Sequence, residues 1–313
     1  MHQPDWKGVF PAITTPFHET LEIDHAGLTK HVGWLIDESC SGIVALGSLG
    51  ESATLGFEEK ISILETCKRA LGDRAPLVAG IAGLSTAECV ALAKRAQNVG
   101  CDGLMVLPPY VYKGDWRESK AHFDAVITAT PLSCMLYNNP IAYGTDVTPA
   151  QMRELARHAN LHAVKESSGD VRRVTAIREQ LGDRLVIFAG MDDAILESIP
   201  VGASGWVAGL VNAFPAESVA VFEAARDGRW DEARAIYEWF LPLLRLDTVP
   251  KFVQLIKLVQ SELGRGSATV RPPRLEIVGD DLAEVRALVR ERLSCRPELN
   301  TSATESRAAA QVW

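Results

Sequence analysis

Residues 161–169 read Leu161-His162-Ala163-Val164-Lys165-Glu166-Ser167-Ser168-Gly169, a short apolar run that ends on a lysine and a hydroxyl-rich turn. A run this short and this apolar reads as a strand buried on both faces, spanning 162–165. Lysine is rarely buried without a use. A low-dielectric site disfavours its ammonium form and leaves an amine able to attack a carbonyl. Lys165 is therefore a Schiff-base candidate. The alternative, a strand-terminal lysine whose flexible stem carries the charge back to water, stays open at this point.

Seven further runs of the same kind flank it, at 8–14, 42–46, 76–81, 103–107, 133–137, 185–189 and 205–208. Between them lie helical patterns at 24–37, 57–71, 86–99, 115–128, 148–158, 170–181, 192–199 and 215–227. Asp24, Thr86, Asp115 and Asp192 are suited to cap helix N-termini, and Gly72, Gly100 and Gly182 follow helices as C-cap residues do. Eight strands, each followed by a helix, predict an α/β chain of the closed (β/α)8 TIM-barrel type with a C-terminal helical extension. No GxGxxG follows the first strand, which counts against a dinucleotide-binding open sheet.

Beyond residue 229 the strands stop. Helices are predicted at 231–246, with Pro242 bending the first, and at 249–263 and 280–293. Phe252, Leu255, Ile256, Val259 and Leu263 recur at helical spacing and read as core packing. The organisation expected is thus a barrel over 1–229, a helical extension over 230–295 and a largely disordered tail over 296–313.

Composition narrows the function classes. Forty Asp and Glu against 32 Lys and Arg give a net charge of −8, with no basic stripe for nucleic acid or an anionic membrane. The N-terminus lacks the apolar core of a signal peptide, and no apolar run approaches the length of a membrane span. Six cysteines without CxxC spacing read as small buried hydrophobes in a reducing cytoplasm. Seven histidines form no HExxH or His-x-His pair, so no dedicated metal site is expected, and the Schiff-base reading of Lys165 calls for no cofactor beyond the covalent imine.

In this fold reactive side chains stand at the carboxyl ends of the strands. Lys165 closes the sixth, Tyr137 closes the fifth, and Gly47-Ser48-Leu49-Gly50-Glu51 follows the second. One rim would then hold an amine, a phenol able to relay protons and a turn whose N–H groups face an anion. Tyr137 as a packed aromatic and 47–51 as an ordinary loop are the plainer alternatives. Their shared placement favours the chemical reading.

These same segments carry a resemblance. Gly47-Ser48-Leu49-Gly50-Glu51, Tyr137-Asn138-Asn139-Pro140, Val164-Lys165-Glu166-Ser167-Ser168-Gly169 and the opening Gly8-Val9-Phe10-Pro11-Ala12-Ile13-Thr14-Thr15-Pro16-Phe17 resemble the dihydrodipicolinate synthase / N-acetylneuraminate lyase family. These are class I aldolase-type barrels that work through a lysine imine. The likeness runs from about residue 7 to 290. It implies that Lys165 forms an imine with a 2-oxo acid, that Tyr137 transfers protons and that Ser48 stands at the hydroxyl position of the proton relay. It further implies that the amides of Ser48 and Leu49, in the turn with Gly50, hold the substrate carboxylate, and that the Val207 carbonyl lies near the imine. Gly190 and Asp192 would contact the distal part of the substrate, with an N-cap as the other reading of Asp192. The partners implied are a small-molecule 2-oxo acid or cyclic imino acid and further copies of the chain, as a homotetramer or dimer.

Departures from the family bear on substrate. In the synthases an arginine two residues past the proline binds the second substrate's carboxylate, and here that position is Ala142. Loss of such a charge-assisted contact is worth about 1.5–3 kcal/mol. Leu49 stands where a second hydroxyl is common, and Tyr110-Val111-Tyr112 departs from the synthases' aromatic pair. Leu107-Pro108-Pro109-Tyr110-Val111-Tyr112, Tyr137 through Thr145 (with Ala142 and Tyr143) and Asp247-Thr248-Val249-Pro250-Lys251-Phe252-Val253-Gln254 are similar to the 1-pyrroline-4-hydroxy-2-carboxylate deaminases of bacterial hydroxyproline catabolism. That branch implies deamination and dehydration of the cyclic imine to 2,5-dioxopentanoate and ammonia. The alternatives are dihydrodipicolinate synthase, a 2-keto-3-deoxy sugar-acid aldolase or dehydratase, and a barrel that binds 2-oxo acids without catalysis.

Overall fold

β-rich runs of three to six residues supply the eight strands of the computed structural model, which describes residues 5–299. They are β1 (Gly8–Pro11), β2 (Ile43–Ala45), β3 (Leu77–Ile81), β4 (Gly103–Val106), β5 (Ser133–Asn138), β6 (Leu161–Glu166), β7 (Val186–Ala189) and β8 (Gly205–Ala208). All pair in parallel, in the order β1-β8-β7-β6-β5-β4-β3-β2. Just past the end of β1, Ala12 bridges Val44, and the Ile13 N–H donates to the Val44 carbonyl at 2.9 Å. That bridge joins the two outer strands and closes a (β/α)8 barrel.

Side chains from alternate strand positions fill the interior. Phe10, Val44, Val78, Met105, Met135, Ala163, Phe188 and Val207 form one buried cluster, with Trp6 stacked on Phe10 and edge-on to Phe188. Aliphatic residues of the opposite strand face pack beneath the helices, as expected where a parallel sheet is covered on both sides. Tyr137 belongs to the interior cluster at the carboxyl ends of the strands, while at the opposite end Ser133 of β5 accepts from Trp6 Nε1 at 2.8 Å.

The predicted elements are present with shifted ends. Asp24 and Asp115 cap their helices, accepting from the Gly27 and Glu118 N–H groups. Thr86 does not; Ser85, one residue earlier, accepts from Glu88. Asp192 caps nothing either. Its carboxylate is engaged elsewhere, and 192–199 divides into a 3-10 turn (Asp192–Ala194) and one helical turn (Ile195–Ser198). A short helix the sequence reading lacked, Pro140–Tyr143, follows β5 and begins with proline after an asparagine cap.

After β8 and the helix Pro215–Arg226 come helices Trp230–Leu244, Phe252–Glu262 and Gly279–Ser294. Leu255, Ile256 and Val259 join the main core and Phe252 and Leu263 pack against it, as the spacing predicts; Val253 joins them. Between the first two helices a 3-10 turn, Arg245–Asp247, packs on the turn Asp192–Ala194 at the barrel mouth. Of the predicted tail, 300–313 lies outside the described residues, while the Arg296 guanidinium reaches buried Glu217. Among the described residues no helix is long and apolar enough to cross a membrane.

Candidate active site

Strand register builds the centre of the site. Parallel pairing of β5 with β6 sets Tyr137 beside Lys165, so both project from the same face into the barrel. Both are buried, at 6% and 7% exposure. The Lys165 Nζ lies 4.5 Å from the centroid of the Tyr137 ring and has no hydrogen bond or ion pair among the described residues. A lysine held in the interior against a ring face, without a hydrogen bond or ion pair among the described residues, is placed to act as a nucleophile.

Gly190, just after β7, makes room for that arrangement. A β-carbon there would fall 2.8 Å from Lys165 Cε and 1.9 Å from Ser167 Oγ. The sequence reading places Gly190 on distal substrate; the geometry gives it a further task, clearance for the lysine stem. The Ser167 hydroxyl is buried and has no hydrogen-bond partner among the described residues.

Asn139 positions the phenol. Its Nδ2 donates to the Tyr137 hydroxyl at 3.0 Å, and its Oδ1 accepts from the Ala142 N–H at 2.9 Å, capping the helix Pro140–Tyr143. That helix sets the Tyr143 ring 5.8 Å from Tyr137 and 5.9 Å from Tyr110. The Tyr143 hydroxyl shares a short hydrogen bond with Ser48 Oγ. Ser48 is thus bonded to Tyr143 rather than to Tyr137, and three tyrosine rings line the wall between β4 and β5. Burial pushes the Tyr143 phenol above its ordinary range, so it stays protonated. Ala142 itself is exposed.

The turn after β2 is anchored from below. Leu46 and Glu51 hold φ of 63° and 57°, in the left-handed region. The Leu49 side chain is buried in the main core, which leaves only backbone N–H groups of that residue to face a ligand. Gly50 lies under Ile13, where a β-carbon would stand 3.0 Å from the carbonyl oxygen, and its own carbonyl accepts from Thr15 Oγ1 at 2.7 Å. Glu51 is fully buried. Its carboxylate accepts from Lys257 Nζ at 2.8 Å and from the Arg271 N–H at 3.0 Å. Glu51 ties the turn to the C-terminal helices.

Across the mouth, Val207 lies in the interior cluster on β8. Asp192 is fully buried and accepts from Trp206 Nε1 at 3.0 Å, the Gly209 N–H at 3.0 Å and the Leu210 N–H at 2.8 Å. Its carboxylate clamps the chain leaving β8, a role that neither sequence reading of this residue included. Burial pushes the carboxyl up to about 6, against the opposing pull of those donors and of Lys165. Asp247, from the turn Arg245–Asp247, stands beside Gly209. Asn139, Glu51 and Lys257 carry motif or burial signals in retrospect; Asp247 begins a stretch that carries a resemblance, but nothing local to it shows that its side chain reaches the barrel mouth.

Among the described residues no group of His, Cys, Asp and Glu is placed to hold a metal ion. The site instead offers an amine, a phenol, oriented amides and acids, which suit imine chemistry with proton transfer.

Comparison with known proteins agrees with this chemistry. Residues 5–292 match the model of the dihydrodipicolinate synthetase family. The chain is 30% identical over 281 residues to the 4-hydroxy-tetrahydrodipicolinate synthase of Methanosphaerula palustris, covering 89% of this chain and 96% of the relative. Dihydrodipicolinate synthase from Aquifex aeolicus superposes with a TM-score of 0.88 at 28% identity, over 91% of this chain and 98% of that one. YagE, an Escherichia coli prophage protein of the same family solved in complex with pyruvate, gives 0.87 at 27% identity, over 92% and 99%. Enzymes of this family form a lysine Schiff base with pyruvate and use no metal cofactor. The chain thus belongs to the dihydrodipicolinate synthetase family and is a lyase of its lysine Schiff-base, class I aldolase type.

Proposed function

We propose that Lys165 is the imine-forming residue, that Tyr137 moves the protons and that the substrate is a 2-oxo acid, or its cyclic imine, carrying a single carboxylate. The unpaired, buried Lys165 Nζ against the Tyr137 ring carries the first two assignments. The amides of the turn 48–50 would receive the carboxylate, with the Val207 carbonyl beside the imine. Ala142 at the exposed lip offers no cation to a second carboxylate, and Leu49 offers no hydroxyl. These features favour deamination and dehydration of 1-pyrroline-4-hydroxy-2-carboxylate to 2,5-dioxopentanoate and ammonia. In that reaction Lys165 adds to C2, the ring opens to leave an amine on C5, and the 4-hydroxyl leaves from the enamine as water. Proton shifts then turn the C5 amine into an imine, and two waters hydrolyse it to ammonia and aldehyde and free the 2-oxo group from Lys165.

The relatives' names favour a second reading, 4-hydroxy-tetrahydrodipicolinate synthase, better than they favour the deaminase. One experiment separates the two. The protein is incubated with pyruvate or with the hydroxypyrroline carboxylate, reduced with borohydride and mapped by mass spectrometry, alongside turnover of each substrate and of pyruvate with aspartate semialdehyde. An adduct on Lys165 with ammonia release from the imine supports the deaminase; condensation with the semialdehyde supports the synthase. No adduct on Lys165 overturns both. Trapping without any turnover would leave a 2-oxo-acid-binding barrel. Assembly into a dimer or tetramer is part of the proposal, and light scattering measures it.

A further inference from the structure

Asp247 reaches the barrel mouth from outside the eight βα units. It ends the 3-10 turn Arg245–Asp247, which packs on the turn Asp192–Ala194. Its carboxyl rests on Gly209, where a β-carbon would fall 2.1 Å from Oδ1, so glycine at 209 is what admits it. Asp192 also takes hold of Gly209, through its N–H, yet the two acids differ. Asp192 accepts four hydrogen bonds from Trp206, Gly209 and Leu210. The Asp247 carboxyl is partly buried and has no hydrogen-bond or ion-pair partner among the described residues. The charges that act on it are those of Asp192 and Asp193, from the turn beneath, and of Lys165, from β6. Burial, reinforced by the Asp192 charge and opposed by Lys165, holds the carboxyl well above the usual carboxylate range, which favours its protonated form.

An acid that rests on Gly209 at the barrel mouth, unpartnered among the described residues and held towards its protonated form, has a hydrogen to give. Two carboxyls on this side also make it unreceptive to a second substrate carboxylate. We propose that Asp247 contacts the distal hydroxyl of the substrate and donates the proton that this hydroxyl takes as it leaves. The inference rests on the imine assignment to Lys165 made above. In the step, the enamine nitrogen lone pair forms C=N, the C2=C3 pair becomes C3=C4, and the C4–O bond breaks with its electrons on oxygen. The Asp247 proton completes a water molecule, and a carboxylate and a conjugated iminium on Lys165 remain. No oxidant or reductant enters. Tyr137 serves the C3 proton, an earlier step.

The test compares wild type, Asp247→Asn and Asp247→Glu on the hydroxypyrroline carboxylate in D2O, reading deuterium uptake at C3 and release of ammonia and 2,5-dioxopentanoate. Asp247→Asn should exchange C3 within about threefold of wild type while product release falls by about 100-fold or more, the range for loss of a general acid. Asp247→Glu should recover part of it. Product release within about fivefold of wild type in Asp247→Asn would overturn the assignment. So would a parallel fall of exchange and release, which marks a structural role. A wild type that forms the borohydride adduct on Lys165 but expels no hydroxyl overturns Asp247's role and leaves the imine standing, whereas absence of the adduct removes the imine reading itself.

Discussion

Lys165 and Lys257 are both buried, and they are held in opposite ways. Lys257, at 1% exposure, donates at 2.8 Å to Glu51 and at 2.8 Å to the Thr15 carbonyl, with the Phe17 ring 4.4 Å from its Nζ. Burial lowers its pKa, and the Glu51 charge opposes that fall. Lys165 shares the aromatic contact but makes no hydrogen bond or ion pair among the described residues. A buried ammonium that is fully paired is a structural bolt, costly to break. A buried amine without partners contributes little to holding the fold together, so its presence asks for a chemical reason. Pairing, more than burial, separates the two.

Substitutions can break or sharpen this contrast. Lys165→Ala should lower turnover by about 10⁴-fold or more, as loss of a covalent nucleophile does, with a denaturation midpoint close to wild type. Collapse of the fold in that variant would make Lys165 a second Lys257. Tyr137→Phe, which keeps the ring against Lys165 but removes the hydroxyl proposed to carry protons, should cost about 10²–10⁴-fold in kcat. Borohydride trapping of pyruvate on Lys165 should survive in it.

Lys257→Met should show the mirror image, a stability loss of about 3–5 kcal/mol from stranding buried Glu51, read by urea unfolding. Pairing it with Glu51→Leu should recover much of that loss, since two apolar side chains can replace a buried ion pair. A smaller effect belongs to Asp192. Its folded-state pKa, about 6, exceeds the ordinary 3.8. The stability it contributes is therefore fully present below about pH 4 and lost as pH rises through 6, to the extent of about 3 kcal/mol. Unfolding free energies of Asp192→Asn and wild type between pH 4 and 7 should differ by that slope; parallel curves would contradict it. Smallest is Tyr143→Phe, which removes one hydrogen bond to Ser48 and should cost about 0.5–1.5 kcal/mol. A double-mutant cycle with Ser48→Ala isolates the pair.

The strand count, the barrel and the pairing of Lys165 with Tyr137 were legible because period and position at strand ends are properties of the chain itself. Contacts between distant segments were less so. Asp192 looks like a helix cap on local grounds, but its carboxylate is drawn to the N–H groups of residues 209 and 210, which only closure of the barrel brings near. Thr86 yielded its cap to Ser85, a shift of one residue within the usual imprecision of helix ends. Tyr143 was expected to line the site, but its bond to Ser48 spans 95 residues and has no local signature. The relatives are named as synthases, whereas the substrate proposed above rests on Ala142 and Leu49. Side chains at the lip of a barrel vary while the strands beneath them persist.

Asn139 has a consequence for how the enzyme meets heat. One side chain both starts the four-residue helix Pro140–Tyr143 and steadies the Tyr137 hydroxyl. A helix so short draws little stability from its own backbone and opens well before the barrel does. When it opens, Asn139 is released, the phenol loses its bearing, and Tyr143 leaves Ser48. Warming should therefore extinguish turnover reversibly at temperatures where the barrel's circular dichroism is still native, with this small segment acting as the molecule's thermal fuse.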